Sequence, residues 1–237
     1  MKIKCVWEHN GNDTLLYSET AAGAFTRGRS KEEALKKMPS EIISFMRWRD
    51  GDIFDTEENE IEIVQEKASG LDIRDADSDV IFESEKKPLT RDEYDALKAL
   101  ALKSAADFLQ LYESVPDKNK SVLPKRSTFY GDVPRTAEEM YQHTKNVNSY
   151  YWGEIGISAD NSGSILDCRK QGFALLEKIH DFLSLGVFSG SYDEEWSLPK
   201  VLRRFVWHDR IHAKAMYRMA VLTFGGNSVP DIFRFEG

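Results

Sequence analysis

The stretch that decides the fold is residues 202–212, whose sequence is LRRFVWHDRIH. His208 and His212 are four residues apart, and at about 3.6 residues per turn such positions share one face of a helix. Two imidazoles in a core-facing stripe cost free energy unless their ring nitrogens find partners. The apolar residues that fall on the same face are Leu198, Val201, Phe205, Ala215, Met216, Met219 and Leu222. The pattern predicts a long amphipathic helix, and a shared metal ion is one partner that fits the histidine pair.

The histidine pair also has a simpler interpretation. A histidine on an apolar face is usually a core residue whose ring bonds to a backbone carbonyl. The residue after His208 is Asp209, whereas zinc proteases with this spacing have a glutamate there. The pair therefore does not indicate a protease, and a third ligand from another element would strengthen the prediction of a metal site.

His143 is the candidate for that third ligand. Thr136 and Glu139 form a capping box that predicts the start of a helix, and Pro134 just before them supports the boundary. His143 is one turn from Met140 and from Val147, at the edge of the apolar stripe. Three imidazole ligands from two helices would leave a fourth position open for water or substrate, which is typical of a catalytic rather than a structural site.

Other side chains could assist such a site. Glu139 and Asp209 are candidates for orienting the ligands or accepting a proton, and the alternative for each is a plain helix-surface carboxylate. His180, followed by Asp181, is a candidate extra ligand or substrate contact, whereas His9, beside Asn10, is expected in a solvated turn. The aromatic residues that could wall a pocket, or equally belong to the core, are Tyr141, Tyr150, Tyr151 and Trp152.

Composition narrows the class of protein. The 237 residues carry a formal net charge of -8, which argues against general binding of nucleic acid, and no apolar run is long enough for a membrane span. The N-terminus does not resemble a secretory signal. Cys5 and Cys168 are too few for a disulfide framework and fit a cytoplasmic protein with inert thiols. No phosphate-binding glycine motif is present, so a nucleotide cofactor has no support.

The chain changes character near residue 88, which predicts an α+β protein with domains at residues 1–87 and 88–237. In the first part we expect strands at residues 2–8, 15–18, 24–27, 60–65 and 79–84. Asn10 and Gly11 predict a tight hairpin after the first strand. A helix should open at the capping box of Ser30 and Glu33 and run to about Arg49, with Pro39 kinking or breaking it.

The second part has the pattern of four helices with apolar stripes, which predicts a bundle. They are expected at about residues 90–114, 136–156, 164–185 and 197–225. Bundles of this kind build metal sites in their cores from side chains on facing helices.

The first part resembles the HicB-like small α/β fold. Tyr17, the segment AFTRGRS at residues 24–30 and the segment EEAL at residues 32–35 carry this resemblance, which covers about residues 1–65. HicB domains occur in antitoxins, but no DNA-binding helix-turn-helix is attached here, so an antitoxin role does not follow. The resemblance implies a module for packing, dimerisation or shaping a neighbouring site.

The second part, over about residues 90–225, resembles the DinB superfamily of up-down four-helix bundles. His143 in the segment MYQH and the pair His208 and His212 in the segment WHDRIH carry the match. The resemblance implies that these three histidines bind a divalent metal, usually zinc or nickel. Some members of the superfamily transfer a low-molecular-weight thiol to an electrophile or isomerise a substrate with such a thiol.

Three hypotheses follow from these observations. The first is a metal-dependent enzyme, a thiol S-transferase or a hydrolase-type enzyme, acting with a low-molecular-weight thiol on an electrophilic small molecule. The second is a non-enzymatic metal-binding or protein-interaction module. The third has no metal, with the histidines bonded to the backbone or to Glu139 and Asp209. A homodimer is expected in each case, because bundles of this kind often pair through helix faces.

Overall fold

The N-terminal part forms a four-stranded sheet in the order β3-β2-β1-β4. The computed structural model describes residues 2–11, 13–51, 60–128 and 131–235. The strands are β1 (Lys2–Asn10), β2 (Asp13–Ser18), β3 (Phe25–Gly28) and β4 (Glu60–Ala68), with helix α1 (Lys31–Asp50) between β3 and β4. The three first strands are antiparallel neighbours, whereas β4 is parallel to β1 and needs the crossover through α1. The predicted order β-β-β-α-β is confirmed.

Local sequence signals place these elements. The β1–β2 hairpin pairs Asn10 with Asp13, as the Asn-Gly signal predicts. The hydroxyl of Ser30 accepts a hydrogen bond from the Glu33 backbone N–H, which caps α1. Pro39 lies inside α1, and the helix continues through it to Asp50, so of the two predicted effects of this proline a break does not occur.

In the described residues of the C-terminal part, the main elements are four α-helices and two small hairpins. The helices are α2 (Arg91–Ser114), α3 (Ala137–Gly153), α4 (Ile165–Leu176) and α5 (Leu198–Phe224). Each begins at a hydroxyl residue that caps it, Thr90, Thr136, Ser164 and Ser197. The two-residue strands are β5 (Ser127–Thr128), β6 (Gly131–Asp132), β7 (Phe188–Ser189) and β8 (Glu195–Trp196).

The packing order of the helices differs from a simple up-and-down ring. Helix α5 packs against α2 and α3, and α4 packs against the same two helices from the other side. Helices α2 and α3 are consecutive in the chain but share few contacts, since they occupy a diagonal of the bundle. The long connection over residues 115–136 spans that diagonal, whereas consecutive neighbours need only short loops.

The predicted strand at residues 79–84 is wrong. In the structure this segment is extended without a strand partner and then forms a short 3-10 helix, Glu83–Lys86. Its carbonyl groups bond to side chains of α5 instead: Lys200 donates to the Asp79 carbonyl at 2.9 Å, and Arg203 to that of Val80 at 3.0 Å. Long cationic side chains thus satisfy backbone groups that would otherwise form a sheet ladder.

The helix predicted over residues 164–185 is too long by about two turns. Helix α4 ends at Leu176, and Asp181 adopts a positive φ of 54° before a 3-10 turn, Phe182–Ser184. The turn packs Phe182 edge-on against Tyr94 of α2, with ring centroids 4.9 Å apart. The contact of this turn with α2 therefore takes the place of further helical turns in α4.

Helix α5 joins the two parts. Buried residues of the sheet, α1 and the bundle belong to one continuous hydrophobic cluster, which includes Ile3, Phe45, Phe108 and Phe205. On the other face of the sheet, Tyr17 and Phe25 pack against Trp207 of α5, each with ring centroids 6.0 Å apart.

The turn between β2 and β3 comes very close to α5. Gly23 has φ +101°, and a Cβ atom there would lie 2.5 Å from Cγ1 of Val206. Only glycine combines this backbone conformation with this approach. The sheet is therefore held directly beside the turn of α5 that leads into His208.

Within the described residues, no helix has both the length and the apolar character that a membrane crossing requires.

Candidate metal centre

The three histidines predicted as ligands come together between α3 and α5. Their ring centroids are 5.2 Å apart for His143 and His208, 4.6 Å for His143 and His212, and 4.5 Å for His208 and His212. One nitrogen of each ring lies within 4.8 Å of one nitrogen of the other two, which is close enough to hold a metal ion. Two nitrogens on a tetrahedral zinc are about 3.3 Å apart, so small shifts of the rings would complete the geometry.

Helix geometry produces this arrangement. On α3, the hydroxyl of Thr136 accepts a hydrogen bond from the Glu139 N–H, and His143 follows one turn later. On α5, Ser197 caps the helix and Pro199 lies in its first turn, so His208 and His212 fall near the middle of a 27-residue helix. Because α3 packs along α5, the ring on the first helix meets the pair on the second.

Exposure differs across the three rings. His208 is buried, at 7% exposed, whereas His212 is half-buried and His143 is exposed. The inner side is closed by aromatic rings, since Tyr151 lies 6.0 Å and Trp207 6.4 Å from the His208 ring, centroid to centroid. The site is therefore closed towards the sheet and bundle core and open on the side of His143.

The ring nitrogens have no competing partners in the part of the chain that the structure describes. Nδ1 of His208 is fully buried and makes no hydrogen bond there. A buried, unpaired ring nitrogen costs free energy of the order of 1–3 kcal/mol, and coordination to a metal would remove that cost. This observation disfavours the hypothesis that the histidines are ordinary core residues bonded to the backbone or to the two carboxylates.

The surroundings keep the rings neutral. Burial, and then the proximity of His143 and Arg27, lowers the pKa of His212 to about 3. Burial, and then the charges of His212 and His143, lowers the pKa of His208 well below its ordinary value, and partial loss of solvent around its ring lowers that of His143. Neutral imidazole is the form that binds metal ions.

The two candidate carboxylates lie elsewhere. Glu139 belongs to the cap of α3, where its carboxylate accepts hydrogen bonds from the N–H groups of Arg135 at 2.8 Å and Thr136 at 3.1 Å. Asp209 points towards α2 and α4 in the bundle core, where it accepts hydrogen bonds from Ser104 at 2.7 Å and from Arg169 at 3.2 Å. The structure places neither carboxylate as a partner of the three rings.

The other candidates are scattered. His180 is exposed and pairs with Asp181 at 2.9 Å, and His9 lies in β1 rather than in a turn, stacked on Trp7 at 4.2 Å. Tyr151 is the one aromatic candidate that contacts a ligand ring among the described residues. Of the others, Trp152 packs on Phe173, Tyr150 packs on Trp196, and Tyr141 stacks on Tyr112.

Sequence reasoning missed three arginines near the site, Arg27, Arg169 and Arg204, and the charge of Arg169 lowers the pKa of His208 after the larger effect of Arg204. The charge of Arg204, one turn before His208, and the charge of Arg27 each lower the pKa of a ligand histidine. The i−4 spacing from His208 could have indicated Arg204. No sequence pattern indicates Arg27, because it comes from a strand in the other half of the chain.

Comparisons of the chain with models of protein families, with curated proteins and with solved structures find no match. The resemblances to HicB-like and DinB-like proteins therefore stay predictions, as do the homodimer and the thiol partner.

Proposed function

We propose that His143, His208 and His212 bind a divalent transition metal ion, zinc or nickel, and that the protein is a metal-dependent enzyme. One observation carries the proposal: three neutral imidazoles from two helices converge without hydrogen-bond partners in the described chain, at a site open on one side. Imidazole nitrogen is a preferred ligand of both metals.

The number of protein ligands favours a metal site with one exchangeable coordination position over a structural site. Structural zinc sites have four protein ligands, whereas catalytic sites keep a position for substrate or water. Among the described residues, the cluster contains three ligand groups and no fourth histidine, cysteine or carboxylate. The exposure of His143 marks the side from which a small molecule would reach the open position.

Bound metal would supply Lewis acidity, which lowers the pKa of a coordinated thiol or water. The side chains supply the rest of the site. Tyr151 and Trp207 exclude water behind His208, and the three neutral rings add no negative charge that would reduce the acidity of the ion.

The hydrogen-bond partners of the surrounding carboxylates distinguish thiol transfer from hydrolysis as the proposed reaction. Hydrolysis at such a site usually uses a nearby general base, and Glu139 and Asp209 are both committed to other partners. A thiol needs only to lose its proton on coordination, and it then attacks as the thiolate. We therefore favour transfer of a low-molecular-weight thiol to an electrophilic small molecule.

The experiment that tests the metal site is elemental analysis of protein purified without chelator and without nickel affinity resin. We expect about one zinc or nickel ion per chain. His143→Ala, His208→Ala and His212→Ala should each lose it, while far-ultraviolet circular dichroism shows that the helices remain. His180→Ala is the matched control, because that exposed ring lies outside the cluster and its loss should leave the metal in place.

Retention of metal in all three ligand variants would exclude this site. Stoichiometric metal without any change in the spectrum of the cobalt-substituted protein on addition of thiol would instead support the non-enzymatic metal-binding module.

A further inference from the structure

Arg27 belongs to the strand that packs beside the turn of α5 carrying His212. Side chains alternate along a strand, so Arg27 points to the same face of β3 as Phe25, which packs on Trp207 of α5. One turn further along α5, Ile211 packs against the same cluster. Arg27 is two residues beyond Phe25 and therefore lies next to the turn of α5 that carries His212. The charge of Arg27 accordingly lowers the pKa of that histidine.

Two further arginines lie close enough to Arg27 for their charges to act on it, and we call the three the cationic rim: Arg27, Arg126 and Arg218. The charges of Arg126 and Arg218 both lower the pKa of Arg27, after the larger effect of burial. The rim draws its members from β3, from the loop before β5 and from the last part of α5.

The rim is only partly neutralised. Arg126 pairs with Asp75 at 2.5 Å, and the charge of the same carboxylate also raises the pKa of Arg27, so Asp75 offsets one of the three positive charges. Arg27 donates from Nη1 to the carbonyl of Arg74 at 3.2 Å, a neutral acceptor, and Arg218 makes no ion pair with a described residue. Uncompensated positive charge thus gathers beside a metal centre, in a chain whose net charge is -8.

We infer that the three-histidine site takes an anionic small molecule, whose carboxylate, phosphate or sulfonate binds Arg27 while its donor atom occupies the open position beside the histidines. The inference rests on the proposed function and names the substrate class of that site. The planar guanidinium suits such groups, because it offers several N–H donors in a fork that matches two oxygens, and a single bond to Arg74 leaves most of them free.

The inference also gives the N-terminal module a role at the site. Arg27 belongs to the sheet, and the sheet is fixed to α5 by the Gly23 approach to Val206. The specificity of a site whose ligands all lie in the bundle would then depend on a residue from the other half of the chain.

The test uses the full chain loaded with cobalt(II), whose visible absorption reports thiolate coordination. Three thiols of similar size are titrated separately at low ionic strength: 3-mercaptopropionate, which is anionic, 2-mercaptoethanol, which is neutral, and cysteamine, which is cationic. We expect the anionic thiol to bind roughly tenfold more tightly than the neutral one, since charge-assisted hydrogen bonds are the strong ones, and cysteamine to bind most weakly. The preference should shrink as salt is added.

Arg27→Ala should abolish the preference for 3-mercaptopropionate while leaving the affinity for 2-mercaptoethanol unchanged. Arg27→Lys should keep part of the preference, because it keeps the charge but loses the fork. The control is Arg91→Gln, because Arg91 is an exposed arginine whose partner is Asp95 on α2 and whose loss changes the net charge by the same amount.

The outcomes separate the two proposals. Equal binding of the anionic and neutral thiols to wild-type protein, or a preference that survives in Arg27→Ala, would overturn the anionic substrate but leave the thiol site standing. Failure of all three thiols to alter the cobalt spectrum would overturn the proposed thiol chemistry and this inference with it.

Discussion

The sharpest prediction concerns the ion pair between Asp209 and Arg169. Both side chains are fully buried, the closest N–O distance is 3.2 Å, and the hydroxyl of Ser104 donates to the same carboxylate at 2.7 Å. The guanidinium of Arg169 also lies 3.6 Å from the centre of the Phe205 ring. Asp209→Asn would leave the arginine charged and unpaired in the bundle core.

The structure sets the size of the effect. At 3.2 Å and an effective dielectric constant of about 20, the Coulomb attraction is about 5 kcal/mol, and breaking one side of a buried pair costs about 3–5 kcal/mol in practice. Asp209→Asn should therefore lower the free energy of unfolding by about 3–5 kcal/mol. Ser104→Ala, which removes one hydrogen bond, should cost only about 1 kcal/mol.

The assay is urea denaturation followed by circular dichroism at 222 nm. With a slope of about 3 kcal/mol per M, the urea midpoint of Asp209→Asn should fall by about 1–1.7 M. Asp95→Asn is the control, because the Arg91–Asp95 pair is exposed and should be worth well under 1 kcal/mol. Replacing Arg169 and Asp209 together by Met and Leu should recover most of the loss.

A loss below about 1 kcal/mol in Asp209→Asn would refute this reasoning. It would mean that the carboxylate is not committed to Arg169, and Asp209 would return as a candidate partner of the metal ligands.

Three further predictions use other parts of the structure. Burial raises the pKa of Glu8 from 4.5 to about 7, so the folded state binds this proton more tightly than the unfolded state. The contribution of Glu8 to the free energy of unfolding is therefore largest below about pH 4.5 and falls as the pH rises to 7. Glu8→Gln should therefore become more stable relative to wild type by about 1.4 kcal/mol per pH unit across that window, and a flat difference in urea titrations would contradict it. A Cβ at Gly172 would lie 1.9 Å from Nε1 of Trp152, so Gly172→Ala should lower stability by about 1–3 kcal/mol, whereas Gly153→Ala, with nothing within 4 Å, should be neutral or slightly stabilising in thermal melts. Zinc at a hundred times its dissociation constant should stabilise metal-free protein by about 2.7 kcal/mol, an increase in thermal midpoint that His208→Ala should abolish.

Local signals in the sequence predicted much of the fold. Hydroxyl residues at helix starts, the Asn-Gly hairpin and the apolar stripes placed α2, α3 and α5 within a few residues. These signals succeed because caps and periodicity act over one or two turns, and nothing distant competes with them.

The errors lie where distant residues decide the local structure. The sequence pattern of residues 79–84 suggested a strand. In the structure Ser78 donates to buried Glu8 at 2.5 Å, and the carbonyls of Ser78 and Val80 accept from arginines of α5. No window of local sequence contains both partners of these bonds, which are separated by 70 to 126 residues.

In the candidate site too, local sequence signals predicted some placements, and contacts between distant residues decided the others. The helical period brought His208 and His212 together and predicted which face of α3 would carry His143. The period could not show that Asp209, next to His208, faces α2 and α4 instead, or that Arg27 approaches from the sheet. Those placements depend on how helices and strands pack, and packing is not encoded in the spacing of any one element.

The buried cations in the first turns of α5 have a practical consequence. Lys200, Arg203 and Arg204 are buried, and their partners include the Glu85 carboxylate and backbone carbonyls before residue 88. Cutting the chain at residue 88 would strip these cations of those partners and uncover Trp207 beside His208. Expressed alone, the bundle should be insoluble or loosely folded, with its histidine cluster disordered. Any attempt to transplant the centre into another scaffold must therefore carry the sheet along with the four helices.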